Sequence, residues 1–192
     1  RRIKMKMLIN ENAYQEYLEF GGFPKVVLEP DKRIKKEILA EIFNSYFEKD
    51  VKTLSDFSDR SRLRDLILLL VPRTASRIEI EKLSHEVGVS RETIYSYLAF
   101  LEQTYFITML PRYSKSVDRS VAGRRKLFFA DTGLAGILGK ASLGQLLENA
   151  VFQTLRPDHK LVFWQHENQE IDFIVDGETG LEVKTTASRR DI

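Results

Sequence analysis

The chain has 192 residues, of which 43% are hydrophobic and 10% aromatic, which is enough for real cores and too much for a disordered polypeptide. It contains no cysteine, which excludes disulfides and thiolate zinc sites and is typical of a reducing compartment, so we expect a cytoplasmic protein. A formal net charge of +2 in a chain that is 30% charged is nearly balanced, so overall charge gives no reason to expect nucleic-acid binding.

The apolar segments are too short to predict membrane contact. The longest run, 66–71, is far below the roughly 18 residues that a membrane-spanning helix needs. The N terminus is basic but lacks the apolar core and the cleavage site of a signal peptide.

Residues 1–58 are predicted to form a helical segment. A short helix over 11–19 ends at Gly21, Gly22 and Pro24, and a longer helix begins after Asp31, which suits an N-cap. The longer helix has one apolar face at three-to-four spacing, formed by Ile34, Ile38, Leu39, Ile42, Phe43, Tyr46 and Phe47.

Residues 59–135 are predicted to form a winged helix. A helix over 60–70 is followed by a second helix that ends at Gly88, a residue suited to a left-handed C-cap, and Ser90 caps a third. Strands over 105–110 and 126–130 then form a hairpin whose loop is rich in cations. Two helices joined by a tight turn and followed by a basic hairpin are typical of this fold.

The cations of this unit are candidates for binding the phosphate backbone of nucleic acid. The candidate residues are Arg91, Arg112, Lys115, Arg119, Arg124, Arg125 and Lys126. Beyond Arg91, the third helix offers only Glu92 and Ser96 for reading bases, so we expect contact with the backbone rather than recognition of sequence. Winged helices also serve as protein-docking modules, and that alternative stays open.

The run Gly139-Lys140-Ala141-Ser142 resembles the end of a phosphate-binding P-loop, but the earlier glycine of that motif would fall on Leu134 and alanine follows the lysine. No strand leads into it. We therefore expect no ATP site in this chain.

Residues 136–192 carry a set of charged residues with the order of a metal-dependent nuclease site. Glu148 lies on a helix opened by a Ser142–Gln145 capping box, and two strands separated by a turn at 176–180 follow an apolar strand at 161–164. Odd positions of the two strands are apolar and even positions charged, so we expect Asp172, Glu182 and Lys184 on one face of a sheet.

That arrangement predicts chemistry for each side chain. Asp172 and Glu182 would hold Mg²⁺, Lys184 would orient or activate the attacking water, and Glu148 would add a ligand or a second base. The opposing interpretation is a half-exposed hairpin that buries one face and charges the other. The three histidines have no metal-site or catalytic-triad spacing, and Trp164 is expected in a core.

Several motifs together resemble the C-terminal part of prokaryotic ATPases of the AAA superfamily that carry a C-terminal domain of unknown function. In chain order they occupy 17–24, 48–51, 89–98, 101–102, 128–134, 147–149, 170–173 and 181–184. The first reads Tyr-Leu-Glu-Phe-Gly-Gly-Phe-Pro, and the last reads Leu-Glu-Val-Lys.

The resemblance implies an α+β chain with a helical N-terminal part, a winged helix-turn-helix and a partial restriction-endonuclease-like, PD-(D/E)xK, module. An ATPase domain would precede Arg1 and would hold the ATP. Asp172, Glu182 and Lys184 would occupy the signature positions of the nuclease fold, and Glu148 its helix glutamate. That fold continues past the Glu-x-Lys strand, so one side of the sheet, with Val175 and Val183, is expected to lack partners unless a longer chain or a second copy covers it.

Three functions remain open at this stage. The leading one is an accessory region that couples ATP-driven motion of its own ATPase domain to a nucleic-acid or protein client. The second is a Mg²⁺-dependent endonuclease, selective for branched DNA or other structures, in the full-length protein. The third is a non-catalytic protein-docking module, whose mark would be a large apolar patch on the helical N-terminal part.

Overall fold

The structure is a computed structural model that describes residues 11–52, 57, 60–114, 125–167 and 169–185. Within these ranges the chain is mixed α+β, with eight α-helices and two small antiparallel sheets. The helices are α1 (Glu11–Phe20), α2 (Pro24–Val27), α3 (Lys32–Tyr46), α4 (Arg60–Leu70), α5 (Ile80–Val87), α6 (Arg91–Gln103), α7 (Thr132–Leu138) and α8 (Leu143–Leu155). The strands are β1 (Ile107–Leu110), β2 (Lys126–Phe129), β3 (Leu161–His166), β4 (Gln169–Val175) and β5 (Thr179–Leu181).

Local signals in the sequence set the ends of three helices. The Asp31 carboxylate accepts hydrogen bonds from the backbone N–H groups of Arg33, at 2.7 Å, and Ile34, at 3.2 Å. The hydroxyl of Ser90 caps α6, and Ser142 forms the full capping box with Gln145 at the start of α8. These predicted caps are confirmed, because each satisfies backbone donors that a helix leaves free at its start.

Helices α5 and α6 are joined by a tight turn at Gly88, whose φ of 75° is left-handed as predicted. Strands β1 and β2 then pair antiparallel, from Ile107 opposite Phe129 to Leu110 opposite Lys126. Strand β1 begins two residues later than predicted because Tyr105 adopts a left-handed φ of 57° in the turn that leaves α6. The Ala75 N–H donates to the Leu127 carbonyl, so the chain before α5 also lies along β2.

The main core lies among the helices. Its buried hydrophobic residues come from both sides of the predicted boundary at 58/59, as Phe43 on α3 and Leu66 on α4 illustrate. The helical N-terminal part and the helix pair therefore share one apolar interior, while their division into domains stays a prediction.

The main core is closed by a junction between two segments that lie more than 100 residues apart. The Asp131 carboxylate accepts hydrogen bonds from the backbone N–H groups of Gly22, at 2.7 Å, and Leu134, at 3.1 Å. A Cβ at Gly133 would lie 2.1 Å from the Phe20 carbonyl oxygen, so the backbones approach too closely for any side chain. This Asp131 junction joins the motif at 17–24 to the motif at 128–134, and it gives both motifs a structural role.

The second core lies under the three-stranded sheet, whose order is β3-β4-β5. Its centre is four buried rings, those of Phe128, Phe152, Phe163 and Phe173. Val175 and Val183 pack against this cluster, so the expectation that they lack partners is wrong. Strand β2 separates the two cores, because Leu127 and Phe129 belong to the main core and Phe128 to the second.

Trp164 was expected in a core, but it is only partly buried and belongs to neither cluster. Its ring stacks against His166, with 6.2 Å between the ring centroids. The alternation of β3 explains this, because Phe163 faces the second core and its neighbour must face the other way.

Candidate functional site

The site expected near the end of the chain is shaped by an irregularity in the β3–β4 pairing. Val162 pairs with Ile174, but Trp164 pairs with Ile171, so two residues of β4, Asp172 and Phe173, lie opposite the single residue Phe163. Such a β-bulge re-aims a side chain that strict alternation would send to the other face. The Asp172 carboxylate consequently reaches the side of the sheet that holds the second core.

The partner of Asp172 there is the ammonium group of Lys126, a side chain that is only 2% exposed. Its Nζ lies 3.2 Å from Asp172 Oδ1 and 2.8 Å from Glu148 Oε1, and it also forms an ion pair with the Glu170 carboxylate. The same Nζ lies 5.6 Å from the centroid of the Phe163 ring. We call Lys126 together with Glu148, Glu170 and Asp172 the carboxylate cluster.

Helix α8 contacts strand β2 at both ends of the strand. Glu148 binds Lys126 at the first residue of the strand, and the next residue of the helix, Asn149, binds the last. The Asn149 side chain accepts from the Phe129 N–H at 2.8 Å and donates to the Phe129 carbonyl at 3.1 Å. The Glu148-Asn149 motif thus fixes the helix of the second core to the hairpin.

The electrostatics of the carboxylate cluster follow from three acids around one base. Burial, together with the nearby charges of Asp172 and Glu170, raises the pKa of Glu148 to about 7, although Lys126 acts in the opposite direction. Burial alone would lower the pKa of Lys126, but the adjacent Glu148 carboxylate and the other two acids raise it, so the ammonium stays charged. Glu148 therefore gains a proton as the pH falls through neutrality, which reduces the excess of negative charge.

Glu182 and Lys184 lie outside the carboxylate cluster. Strand β5 ends at Leu181, and Leu181 and Val183 both pack against the second core, whereas Glu182 and Lys184 are exposed. Their side chains are 59% and 37% exposed, and they pair with each other at 3.4 Å. The structure thus brings Glu148 and Asp172 together, as the motif order predicts, but not Glu182 and Lys184.

The residues as arranged do not fit the metal site that the resemblance implies. Asp172 Oδ1 is bonded to Lys126, and its Oδ2 accepts from the Val183 N–H at 2.8 Å. Glu182, the second expected ligand, is exposed and pairs with Lys184. Within the described ranges no group of three or more histidine, aspartate or glutamate side chains is arranged to hold a metal ion.

The residues expected to bind nucleic acid have different surroundings. Arg91 is exposed at the start of α6, Arg112 is exposed with its guanidinium bonded to the Gln165 carbonyl, and Arg125 is partly buried. Lys115, Arg119 and Arg124 lie outside the described residues. Lys126 was expected among the exposed cations of the loop, and its burial removes it from that set.

Two members of the carboxylate cluster are not among the residues that the sequence predicts for this site: Lys126, which it predicts as a cation of the basic loop, and Glu170. A signal for Lys126 was present. In a strand, residues two apart share a face, so Lys126 must point to the same core as Phe128. The bulge that re-aims Asp172 had no comparable signal.

A protein-family model described as Domain of unknown function (DUF8612) matches residues 11–145. The chain belongs to this family. The matched range contains both helices of the pair, the hairpin strands and Lys126. It ends before Glu148, so the three acids of the carboxylate cluster lie beyond it.

Two curated relatives are similar to this chain over most of its length. An uncharacterized protein of Methanocaldococcus jannaschii is 32% identical over 177 residues, covering 85% of this chain and 39% of its own length. An uncharacterized protein of Haemophilus influenzae is 31% identical over 173 residues, covering 85% of this chain and 43% of its own. The chain thus spans about two fifths of the length of the curated relatives it matches.

No solved structure matches the chain. Among the helices that the structure describes, none has the length and apolar character that a membrane-spanning helix needs.

Proposed function

We propose that the chain is a non-catalytic accessory module of a larger ATPase of the AAA superfamily, and that it binds the nucleic-acid backbone through α6 and the β1–β2 hairpin. The observation that supports a non-catalytic role is the position of the Lys126 ammonium. It lies among the acids that a nuclease of this type would use to bind a metal ion. The resemblance of the motifs to AAA-type ATPases supports the proposed parent protein.

The helix pair and its hairpin support the binding surface. Helix α6 has 13 residues, about 20 Å at the usual rise, which is long enough to lie in a major groove. Its exposed start carries Arg91, and Tyr95, one turn later, is 60% exposed. The Ser96 hydroxyl donates to the Glu92 carbonyl, so little of this face is free for reading bases.

The carboxylate cluster supports a mechanical role in this module. It joins β2, the strand that returns from the basic loop, to α8 and to the three-stranded sheet. A load on the hairpin would therefore pass to the second core through Lys126 and Asn149. We propose that this rigid connection couples nucleic-acid binding at the hairpin to motion of the parent ATPase.

Binding to a duplex of about 25 base pairs, followed by fluorescence anisotropy across a salt series, tests the surface. The logarithm of the association constant should fall with the logarithm of salt concentration, by about 0.9 for each phosphate contact. The double reversal Arg124→Glu/Arg125→Glu should weaken binding at least tenfold, by roughly 1.4 kcal/mol or more, while Lys49→Glu on the exposed turn after α3 should not. An affinity for the duplex that changes neither with salt concentration nor in the double variant would contradict the nucleic-acid proposal.

One observation favours a second candidate, a nuclease in the longer protein. Glu148 and Asp172 come from different elements and yet contact the same cation, as a catalytic pair would. Cleavage of branched DNA by a full-length relative with Mg²⁺ present, lost in the equivalent of Asp172→Asn while folding persists, would establish this function and overturn the non-catalytic proposal.

A further inference from the structure

A groove lined by residues of α3, α4, α7 and α8 carries a second inference, independent of the proposed function. It has a volume of about 840 Å³ and lies between α3, α4 and the segment that links α7 to α8. That volume falls in the usual range for sites that hold small molecules. The run Gly139-Lys140-Ala141, which the comparison with P-loops singled out, lines one of its walls.

The floor and walls of the groove are apolar. Phe43, Ile137, Leu138 and Leu146 line it, and each belongs to the main core or packs against it. Small residues also line the groove, namely Ala40, Gly136, Gly139 and Ala141.

The rim carries three cations from three different elements: Lys36 of α3, Arg64 of α4 and Lys140 of the linking segment. The guanidinium of Arg64 lies 5.4 Å from the centroid of the Phe43 ring, so a cation–π contact holds it at the edge of the apolar floor. The one acid of the lining, Glu19, pairs with Lys32 at 3.5 Å.

These cations differ from their neighbours in lacking acidic partners. On α3, Lys32 pairs with Glu19, Arg33 with Glu37 and Lys35 with Glu16, all within 4.0 Å. Within the part of the chain that the structure describes, no carboxylate forms such a pair with Lys36, Arg64 or Lys140. The unmatched charges surround the apolar floor, so the complementary ligand is a multiply charged anion with an apolar body.

We propose that this groove binds a phosphate monoester that carries an apolar body, such as an aryl phosphate. The phosphate group, a dianion, lies at the rim between Lys36, Arg64 and Lys140. The apolar body packs on Phe43 and Leu146. Neither part alone uses the whole site, so both are required for tight binding.

Isothermal titration calorimetry with 1-naphthyl phosphate tests the proposal, with inorganic phosphate and 1-naphthol as the two half-ligands. The ester should bind at least about tenfold more tightly than either half-ligand. Lys140→Glu, at an exposed position, should weaken it at least about tenfold and leave duplex binding unchanged, which keeps this site distinct from the proposed nucleic-acid surface. Lys82→Glu, on the exposed side of α5 and outside the lining, should leave the affinity for the ester unchanged.

Three results would overturn the proposal. Equal affinity for the ester and inorganic phosphate would reduce the site to a general anion contact. Equal affinity for the ester and 1-naphthol would reduce it to an apolar surface. Equal weakening by Lys140→Glu and Lys82→Glu would show that overall charge, rather than the groove, attracts the ligand.

Discussion

The Asp131 junction and the carboxylate cluster both place a charged side chain between distant segments, but they satisfy it differently. Asp131 is 7% exposed and is bonded by backbone N–H groups, those of Gly22 and Leu134 among them. Lys126 is 2% exposed and faces three carboxylates. Backbone N–H dipoles stabilise the first charge, although burial still raises the pKa of Asp131, whereas full charges of opposite sign neutralise the second.

Because the two charges are stabilised differently, different changes should destabilise the two regions. The Asp131 junction depends on close approach of two backbones at Gly133, so added volume should break it. The carboxylate cluster depends on a balance of charge in a buried place, so a change of charge or of pH should break it.

The largest effect is expected for Lys126→Met, which keeps most of the side-chain volume and removes the ammonium. Three acids would then lack their base in a site shielded from water, and the free energy of unfolding should fall by about 3–5 kcal/mol. Urea unfolding measures this loss. The matched Lys82→Met, on the exposed side of α5, should change stability by less than about 0.5 kcal/mol.

Added volume should act next most strongly, at the Asp131 junction. In Gly133→Ala the new methyl group meets the Phe20 carbonyl, which belongs to the backbone and cannot turn aside, so we expect a loss of about 2–3 kcal/mol. In Gly144→Ala the new methyl group has only the Ser142 hydroxyl at 4.0 Å, and stability should stay within about 1 kcal/mol of the original. Equal losses in the two variants, measured by thermal unfolding, would contradict the steric account.

Glu148 should determine how the free energy of unfolding depends on pH near neutrality. Its pKa in the folded protein is about 7 against 4.5 as the ordinary value, so the folded state binds more protons between these limits. Stability therefore falls as pH rises through this window, by at most about 1.4 kcal/mol per pH unit. Glu148→Gln should flatten the curve of unfolding free energy between pH 5 and 7, and an unchanged slope would place the proton elsewhere.

The smallest effect is expected at Lys184. Because the structure places it outside the carboxylate cluster, in an exposed pair with Glu182, Lys184→Ala should lower stability by no more than about 0.5 kcal/mol. A loss as large as that of Lys126→Met would mean that Lys184 belongs to the buried cluster after all. Chemical denaturation of the two variants side by side decides this.

Features fixed by neighbouring residues could be predicted from the sequence. Asp31, Ser90 and Ser142 cap their helices, and Gly88 ends α5, because each interaction spans only a few residues. The antiparallel pairing of β3, β4 and β5 also follows from short turns and alternation.

The candidate site could be predicted only in part, because it depends on interactions across the fold. The motif order brought Glu148 and Asp172 together correctly. The alternation of β4 fails at a bulge, so Asp172 separates from Glu182 and Lys184. Lys126 resembled its neighbours in a basic loop, and its burial depends on a second core whose residues lie far along the chain.

The central claim is that the Lys126 ammonium is the cation of the carboxylate cluster, and a double-mutant comparison at pH 8 tests it most directly. Glu148→Gln removes one of the acids that Lys126→Met leaves without a base. We therefore predict that Lys126→Met/Glu148→Gln is more stable than Lys126→Met alone, by about 1 kcal/mol or more in urea unfolding. A double variant no more stable than Lys126→Met, with the two effects additive within about 0.5 kcal/mol, would contradict the claim.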